Sequence, residues 1–263
     1  MKIFILFVLQ ITLLTSVNLA FASQKILKTY ADIAEAVYED SLDTAKVLKS
    51  SVNQFIMNPT EQNLQKTKEA WLAARVPYQQ SEVYRFGNAV VDDWEGKVNA
   101  WPLDEGLIDY VDSSSYGNQS DENENYVSNV IANKSLKING VNVSTSRITK
   151  QLLTEKLQEA GGVEANVATG YHAIEFLLWG QDLNGTAAGS GNRPASDYSL
   201  NNCTNGNCDR RAEYLRVATD LLIDDLEDMA SNWRKKGSAR KSLMSGGTKN
   251  GLSSMVTGLG SLS

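Results

Sequence analysis

The chain has one histidine among its 263 residues, and it stands three positions before a glutamate. The surrounding run, Val167-Ala168-Thr169-Gly170-Tyr171-His172-Ala173-Ile174-Glu175-Phe176-Leu177-Leu178-Trp179, is apolar at nearly every other position. A spacing of three puts His172 and Glu175 on one helix face, one turn apart. Helical bundles present metal ligands in this way, as in Glu-x-x-His pairs, although the order here is reversed. The same spacing also suits a structural pair in which Glu175 accepts a hydrogen bond from His172 or each caps a neighbouring loop. A helix that is apolar all round is expected to be buried, and a buried imidazole and carboxylate need partners. Two residues do not make a site, because catalytic zinc takes three protein ligands and an open position. With no second histidine, the remaining donors must be carboxylates, Tyr, Cys or water, a set that suits iron better than structural zinc. Gly170 would let another backbone or a ligand come close.

Other residues could complete such a site. Glu82 lies on a predicted helix that also carries Arg75 and Arg85, so it reads either as an ion-pair partner or as an oxygen donor. Asp104 follows Trp101-Pro102 and reads either as the cap of a short helix or as a further donor. Trp71 and Trp101 are expected in the core, and Arg210-Arg211, at a helix start, in solvent. Gly185-x-x-x-Gly189-x-Gly191 lacks the Lys-Ser/Thr ending of a phosphate loop and reads as structural. Cys203 and Cys208, the only cysteines, bracket an Asn-Gly turn and are expected to form a disulfide in an oxidising compartment.

The start of the chain points to that compartment. Lys2, the apolar run Ile3 to Leu14 and Ala20-Phe21-Ala22 have the pattern of a signal peptide over residues 1–22, with the mature chain, 23–263, beginning near Ser23. No later stretch is long and apolar enough to span a bilayer. The net charge of -6 disfavours nucleic acid as a partner, since phosphate binding draws on clustered Lys and Arg.

The elements that must position these residues are helices. Apolar residues recur at helical spacing from Gln24 to Ile56. Asn58-Pro59 then breaks the run, and Thr60 is placed to cap a second helix reaching about Phe86, with Pro77 inside it. From Gly87 to Ser146 the pattern loosens into a short helix ending near Val111, a polar loop from Asp112 to Asn125, and a hairpin about Asn139-Gly140. Helices are expected at Ile148–Leu157, Glu164–Trp179 and Asp209–Lys235, with a long Gly/Asn/Ser loop between the last two and no terminal element at Gly258–Ser263. The fold class is all-α, an antiparallel bundle of long helices with long loops.

Several ordered motifs carry a family resemblance. Gly170-x-His172-x-x-Glu175 followed by Phe176-Leu177-Leu178-Trp179-Gly180 resembles the defining motif of imelysin-like proteins. Trp71-x-x-x-Arg75-x-Pro77-Tyr78-x-x-Ser81-Glu82-x-x-Arg85-Phe86, Val98-Asn99-Ala100-Trp101-Pro102-Leu103-Asp104 and Asn192-Arg193-Pro194-x-x-Asp197-Tyr198 are similar to further stretches of that family. The resemblance implies an exported protein of two bundle-like halves with the motif near a cleft. It also implies a periplasmic or secreted location, with outer-membrane association as a variant, and a part in bacterial iron acquisition beside membrane-associated uptake components. The ligand would be a metal ion or an iron chelate. The expected ligands are His172 and Glu175, joined by Glu82 and Asp104, with iron as the ion and zinc as its alternative. The family is also classed among metallopeptidases, so a zinc peptidase is the rival reading and a helical recognition module a third. Members continue past the Gly-Leu-Gly-Ser-Leu-Ser segment on which this chain ends, which implies a C-terminal truncation.

Overall fold

The computed structural model describes the backbone of residues 2–261 and the side chains of residues 23–261. The expected leader, residues 1–22, lies outside the described side chains. The helices are α1 (Lys2–Met57), α2 (Glu61–Gln80), α3 (Ala89–Asn99), α4 (Glu105–Ile108), α5 (Ser113–Tyr116), α6 (Lys150–Leu152, continued by a π turn over Leu153–Leu157), α7 (Gly170–Trp179), α8 (Cys208–Trp233), α9 (Ser238–Ser245) and α10 (Gly247–Ser261). One hairpin, β1 (Ser135–Ile138) and β2 (Val141–Ser144), interrupts them. Its two-residue turn, Asn139-Gly140, has positive φ at both positions, the conformation that Asn-Gly favours and that matches strand twist. Among the described residues no helix is long and apolar enough to cross a membrane.

The chain divides into two compact units. The first comprises Met1–Asp40, Tyr78–Trp94 and Asp228–Ser263. Its core is aromatic: Tyr38 meets Trp94 edge-on at 5.7 Å between ring centroids, and Tyr84 meets Trp233 at 5.6 Å. Arg240 is buried beside it, bonded to the carbonyls of Ala31 and Trp233 and paired with Asp32 and Glu35. Contrary to expectation the C-terminal segment is helical. A Cβ on Gly258 would fall 2.1 Å from the Val83 carbonyl oxygen, and one on Gly251 2.6 Å from that of Leu243. Gly251 and Gly258 are notches through which α10 packs against backbone, whereas a Cβ on Gly260 would meet nothing within 4 Å.

The second unit, Ser41–Pro77 and Glu95–Glu227, holds most of the chemistry-bearing motifs. Thr60 caps α2 as expected, its hydroxyl accepting from the Asn63 N–H at 3.2 Å. Thr67 donates to Ser51 and Lys49 pairs with Asp220, which ties α1 to α2 and to α8. Cys203 and Cys208 are joined in a disulfide at the start of α8.

Three expectations of extent fail. Helix α2 ends at Gln80, not near Phe86, three residues after Pro77. Helix α3 lies where the pattern had looked loose; its buried residues Val91, Trp94 and Val98 do recur at helical spacing over a short span. Helix α7 starts at Gly170, not Glu164, because the backbone before it pairs elsewhere: Ala165 accepts from Asp104 and Asn166 from Glu159. A fourth correction concerns Arg210 and Arg211, which are buried and not solvated. Arg210 donates to the carbonyls of Val130, Ile131, Asn133, Thr145 and Ser146, gathering the loop ends around the hairpin. Carbonyls can satisfy a buried guanidinium, and nothing in the residue's own neighbourhood in sequence reveals them.

Candidate metal centre

Helix α7 is fixed at both ends and along its back. At its start Gly170 has φ +79°, and a Cβ there would lie 2.5 Å from the Val98 carbonyl oxygen. Only glycine permits both the conformation and the approach. The preceding Thr169 hydroxyl donates to Lys97 O at 3.0 Å, a second tie to the end of α3. Trp71 Nε1 donates to the Tyr171 carbonyl at 3.0 Å, and the Tyr171 hydroxyl donates to Ala74 O, so α2 holds the first turn from behind. Ala173, Ile174, Leu177 and Leu178 are fully buried. At the far end Gly180 closes the helix at positive φ, and the backbone of Gly191 lies so near that a Cβ would sit 2.2 Å from Gly180 O. Gly191 therefore serves packing, as the absence of a phosphate-loop ending implied, whereas a Cβ on Gly185 would meet nothing within 4 Å.

This framing leaves His172 and Glu175 as the polar members of α7 on its open face. They are not fully buried, as an all-apolar helix had suggested: their side chains are 17% and 41% exposed. His172 Nδ1 and Glu175 Oε2 are 2.9 Å apart. With the proton on Nδ1, the pair orients the ring and leaves Nε2 to offer a lone pair, an arrangement common behind metal-bound imidazoles. Trp101, expected in the core, is 70% exposed and lies against the imidazole, with ring centroids 4.9 Å apart.

Both residues line a cavity of about 280 Å³ whose walls also include Trp101, Glu105, Trp179 and Asp182. Glu105 opens α4. Burial, outweighing the nearby Arg193 and reinforced by the negative charges of Asp182 and Glu175, pushes its carboxyl up to about 7. Three carboxylates and an imidazole thus face one space, and the acid most withdrawn from water resists ionising there.

The other two expected ligands are not among the residues that line this cavity. Asp104 does not line the cavity. Its carboxylate accepts from Asn123 Nδ2 at 2.6 Å, and burial, only partly offset by that bond, holds its carboxyl above the usual range. It occupies the N-cap position of α4 without a side-chain capping bond, so the capping alternative is not realised either. Glu82 belongs to the first unit, on a short 3₁₀ turn, with Arg85 at 3.5 Å. Glu105 and Asp182 were missed in the sequence. Glu105 follows Asp104 directly, and which of two adjacent acids faces a cavity depends on where α4 begins. Asp182 sits in a glycine-rich loop with no periodicity to aim it. Among the described residues no three His, Cys, Asp or Glu side chains converge tightly enough to hold an ion as they stand.

Comparison with known proteins bears on the fold and the family. A family model described as imelysin, of the M75 peptidase class, matches residues 34–263. Iron-regulated protein A of Synechococcus elongatus is 27% identical over 84 residues, 32% of this chain and 21% of that protein. A crystal structure assigned as an iron-regulated protein A precursor, from Parabacteroides distasonis, superposes with a TM-score of 0.58 at 20% identity, over 91% of this chain and 56% of that one. An imelysin-like protein of Psychrobacter arcticus gives 0.58 at 19% identity, over 92% and 60%. The chain therefore spans under two thirds of the length of the relatives it matches. With the family model covering most of its length and its helical fold shared with two solved relatives, the chain belongs to the imelysin family.

Proposed function

We propose that this protein is an exported metal-binding protein serving iron acquisition, with the ion taken up in the cavity between α4 and α7. The observation that carries this reading is the acidic wall of that cavity: Glu105, Glu175 and Asp182 face it with the chain's single imidazole. An oxygen-rich donor set with one nitrogen suits iron, and a cation would favour the ionised form of Glu105, which burial first and the neighbouring acids second disfavour. His172 would bind through Nε2 with Glu175 orienting it, and Glu105 and Asp182 would turn inward as further donors. The names of the relatives, iron-regulated protein A in two cases, support the link to iron. The signal-peptide pattern of residues 1–22 supports export to the periplasm or beyond. The zinc-peptidase reading is weaker because one histidine leaves a zinc site short of its usual nitrogen donors.

Calorimetric titration of chelator-stripped protein with ferrous ion under anaerobic conditions, and separately with zinc, tests the proposal. His172→Ala and Glu105→Gln should each weaken iron binding by at least about tenfold. Glu82→Gln and Asp104→Asn should leave it unchanged, and a comparable loss in either would return that residue to the ligand set. Wild-type iron affinity in folded His172→Ala protein would overturn the site. Zinc-dependent cleavage of an unfolded substrate that vanishes in His172→Ala would replace the reading with the peptidase.

A further inference from the structure

A second cavity, of about 430 Å³, lies beyond Trp179 and Gly180 and is lined by Tyr110, Leu183, Asn184 and Arg193 among others. Arg193 is almost wholly buried, 3% exposed, yet only part of its guanidinium is satisfied. Nη1 donates to Asp109 at 2.7 Å and to Asp197 at 3.1 Å. Nε and Nη2 are buried and make no hydrogen bond. These two nitrogens form one edge of the planar group, and their N–H bonds point the same way, the geometry that grips both oxygens of a carboxylate. The neighbouring Arg211 uses that edge on Asp109, through Nε at 2.6 Å and Nη2 at 3.1 Å. In Arg193 the same edge is vacant.

The edge faces Gly180. A Cβ built there would lie 3.5 Å from Nε and 3.7 Å from Nη2, so the glycine brings no side chain against either donor. Two buried charged donors without acceptors carry a desolvation cost that a structural arginine would avoid. The guanidinium is held flat by the rings of Tyr110, at 4.9 Å, and Phe176, at 5.5 Å, so the edge is fixed before any ligand arrives. Asp112, the acid on the cavity wall, has its carboxylate turned onto Ser114 and Ser115.

We propose that the Nε–Nη2 edge of Arg193 is the receptor for a small organic carboxylate bound in this cavity. The apolar walls supplied by Tyr110, Trp179 and Leu183 favour a carbon-bearing acid over inorganic phosphate. The receptor stands apart from the metal reading, because it needs no ion and none of the cavity acids.

Metal-stripped protein titrated with citrate in a calorimeter, with chelator-treated buffers and inorganic phosphate as the second arm, tests this. Citrate should give a saturable isotherm and bind more tightly than phosphate. Arg193→Lys, which keeps the charge and loses the edge, should abolish it. Because Arg193 also holds Asp109 and Asp197, a second pair of variants leaves the buried cluster alone. Leu183 is 63% exposed at the cavity mouth. Leu183→Lys should tighten citrate binding and Leu183→Glu weaken it, each by about threefold at low salt. His172→Ala should leave metal-free citrate affinity unchanged, which separates this receptor from the metal centre. No citrate isotherm, equal affinity across the Leu183 pair, or undiminished binding in folded Arg193→Lys protein would overturn the proposal. Phosphate binding more tightly than citrate would overturn the ligand class.

Discussion

Helix α4 opens on one acid, Glu105, and is followed at its C-cap by another, Asp109, and the protein treats them in opposite ways. Asp109 is 1% exposed and sits between Arg193 and Arg211, so its charge is fully compensated. With Asp197 the cluster holds two carboxylates and two guanidiniums and is neutral as a whole. Glu105 faces a cavity whose other titratable walls are two carboxylates and an imidazole, and Arg193 reaches it only through space. Folding alone would favour the first arrangement everywhere. On the proposed reading, an acid left beside other acids, just before one that is fully paired, is a position kept for an ion.

The largest effect should come from breaking the paired side. Asp109→Ala leaves two buried guanidiniums without their shared carboxylate, at a cost of about 3–5 kcal/mol. Thermal unfolding followed by circular dichroism should show the midpoint lowered by about 10 °C. A shift of only a degree or two would mean that water reaches the cluster and that the contrast with Glu105 has been overdrawn.

Next in size is the notch that seats α7. Gly170→Ala must place a side chain at positive φ and against the Val98 carbonyl, which should cost about 3 kcal/mol in a denaturant titration. This notch was legible in the sequence as a glycine a little over one turn ahead of Glu175 in an apolar run. So were the long helices, the Asn-Gly hairpin, the disulfide and the His172–Glu175 face, because each depends on residues near one another in the chain. Glu105, Asp182 and the buried roles of Arg210 and Arg211 were not legible. Their partners lie up to 102 residues away, as between Arg211 and Asp109. Periodicity shows which face of a helix is apolar; it does not show which charge from a distant loop will meet it. The terminal helix was hidden for a related reason: glycines that look like breaks are tolerated where backbone packs against backbone.

Asp197, in the paired cluster, and Glu105 should also respond to pH with opposite sign. Burial tends to raise the Asp197 carboxyl, but the Tyr110 hydroxyl, Arg211, Asn205 and Arg193 together hold it below the usual range. A lowered folded value means stability that is present above the unfolded value, about 3.9, and is lost as the pH falls through the folded one. Glu105 is raised to about 7, so between about 4.3 and 7 the folded protein holds a proton that the unfolded chain has lost. Stability from this group is therefore full at low pH and declines as the pH rises through that window. Metal-free Glu105→Gln should be more stable than wild type at pH 8 by about 1 kcal/mol, well below the full shift because cavity water screens the charges. At pH 4 the two should be alike. Equal stability at both values would remove the claim that this acid is held under electrostatic strain.

The smallest effect separates orientation from stability within the cavity itself. Trp101 lies against the His172 ring but is mostly exposed, so its removal should change the folding free energy by less than about 0.5 kcal/mol. The ring nevertheless limits where the imidazole can turn, while Glu175 fixes only its Nδ1 edge. Without the indole, Nε2 can swing away from the cavity, and iron affinity should fall by about threefold, the penalty of a loosened supporting shell. Trp101→Phe should recover most of the loss and Trp101→Ala none. Because His172 is the only histidine, its ring nitrogens give isolated nitrogen NMR signals, and Trp101→Ala should broaden or shift them while the rest of the spectrum stays put. Unchanged imidazole signals together with unchanged iron affinity would show that Glu175 alone orients the ring. The exposed tryptophan would then be free for a role outside the proposed metal site.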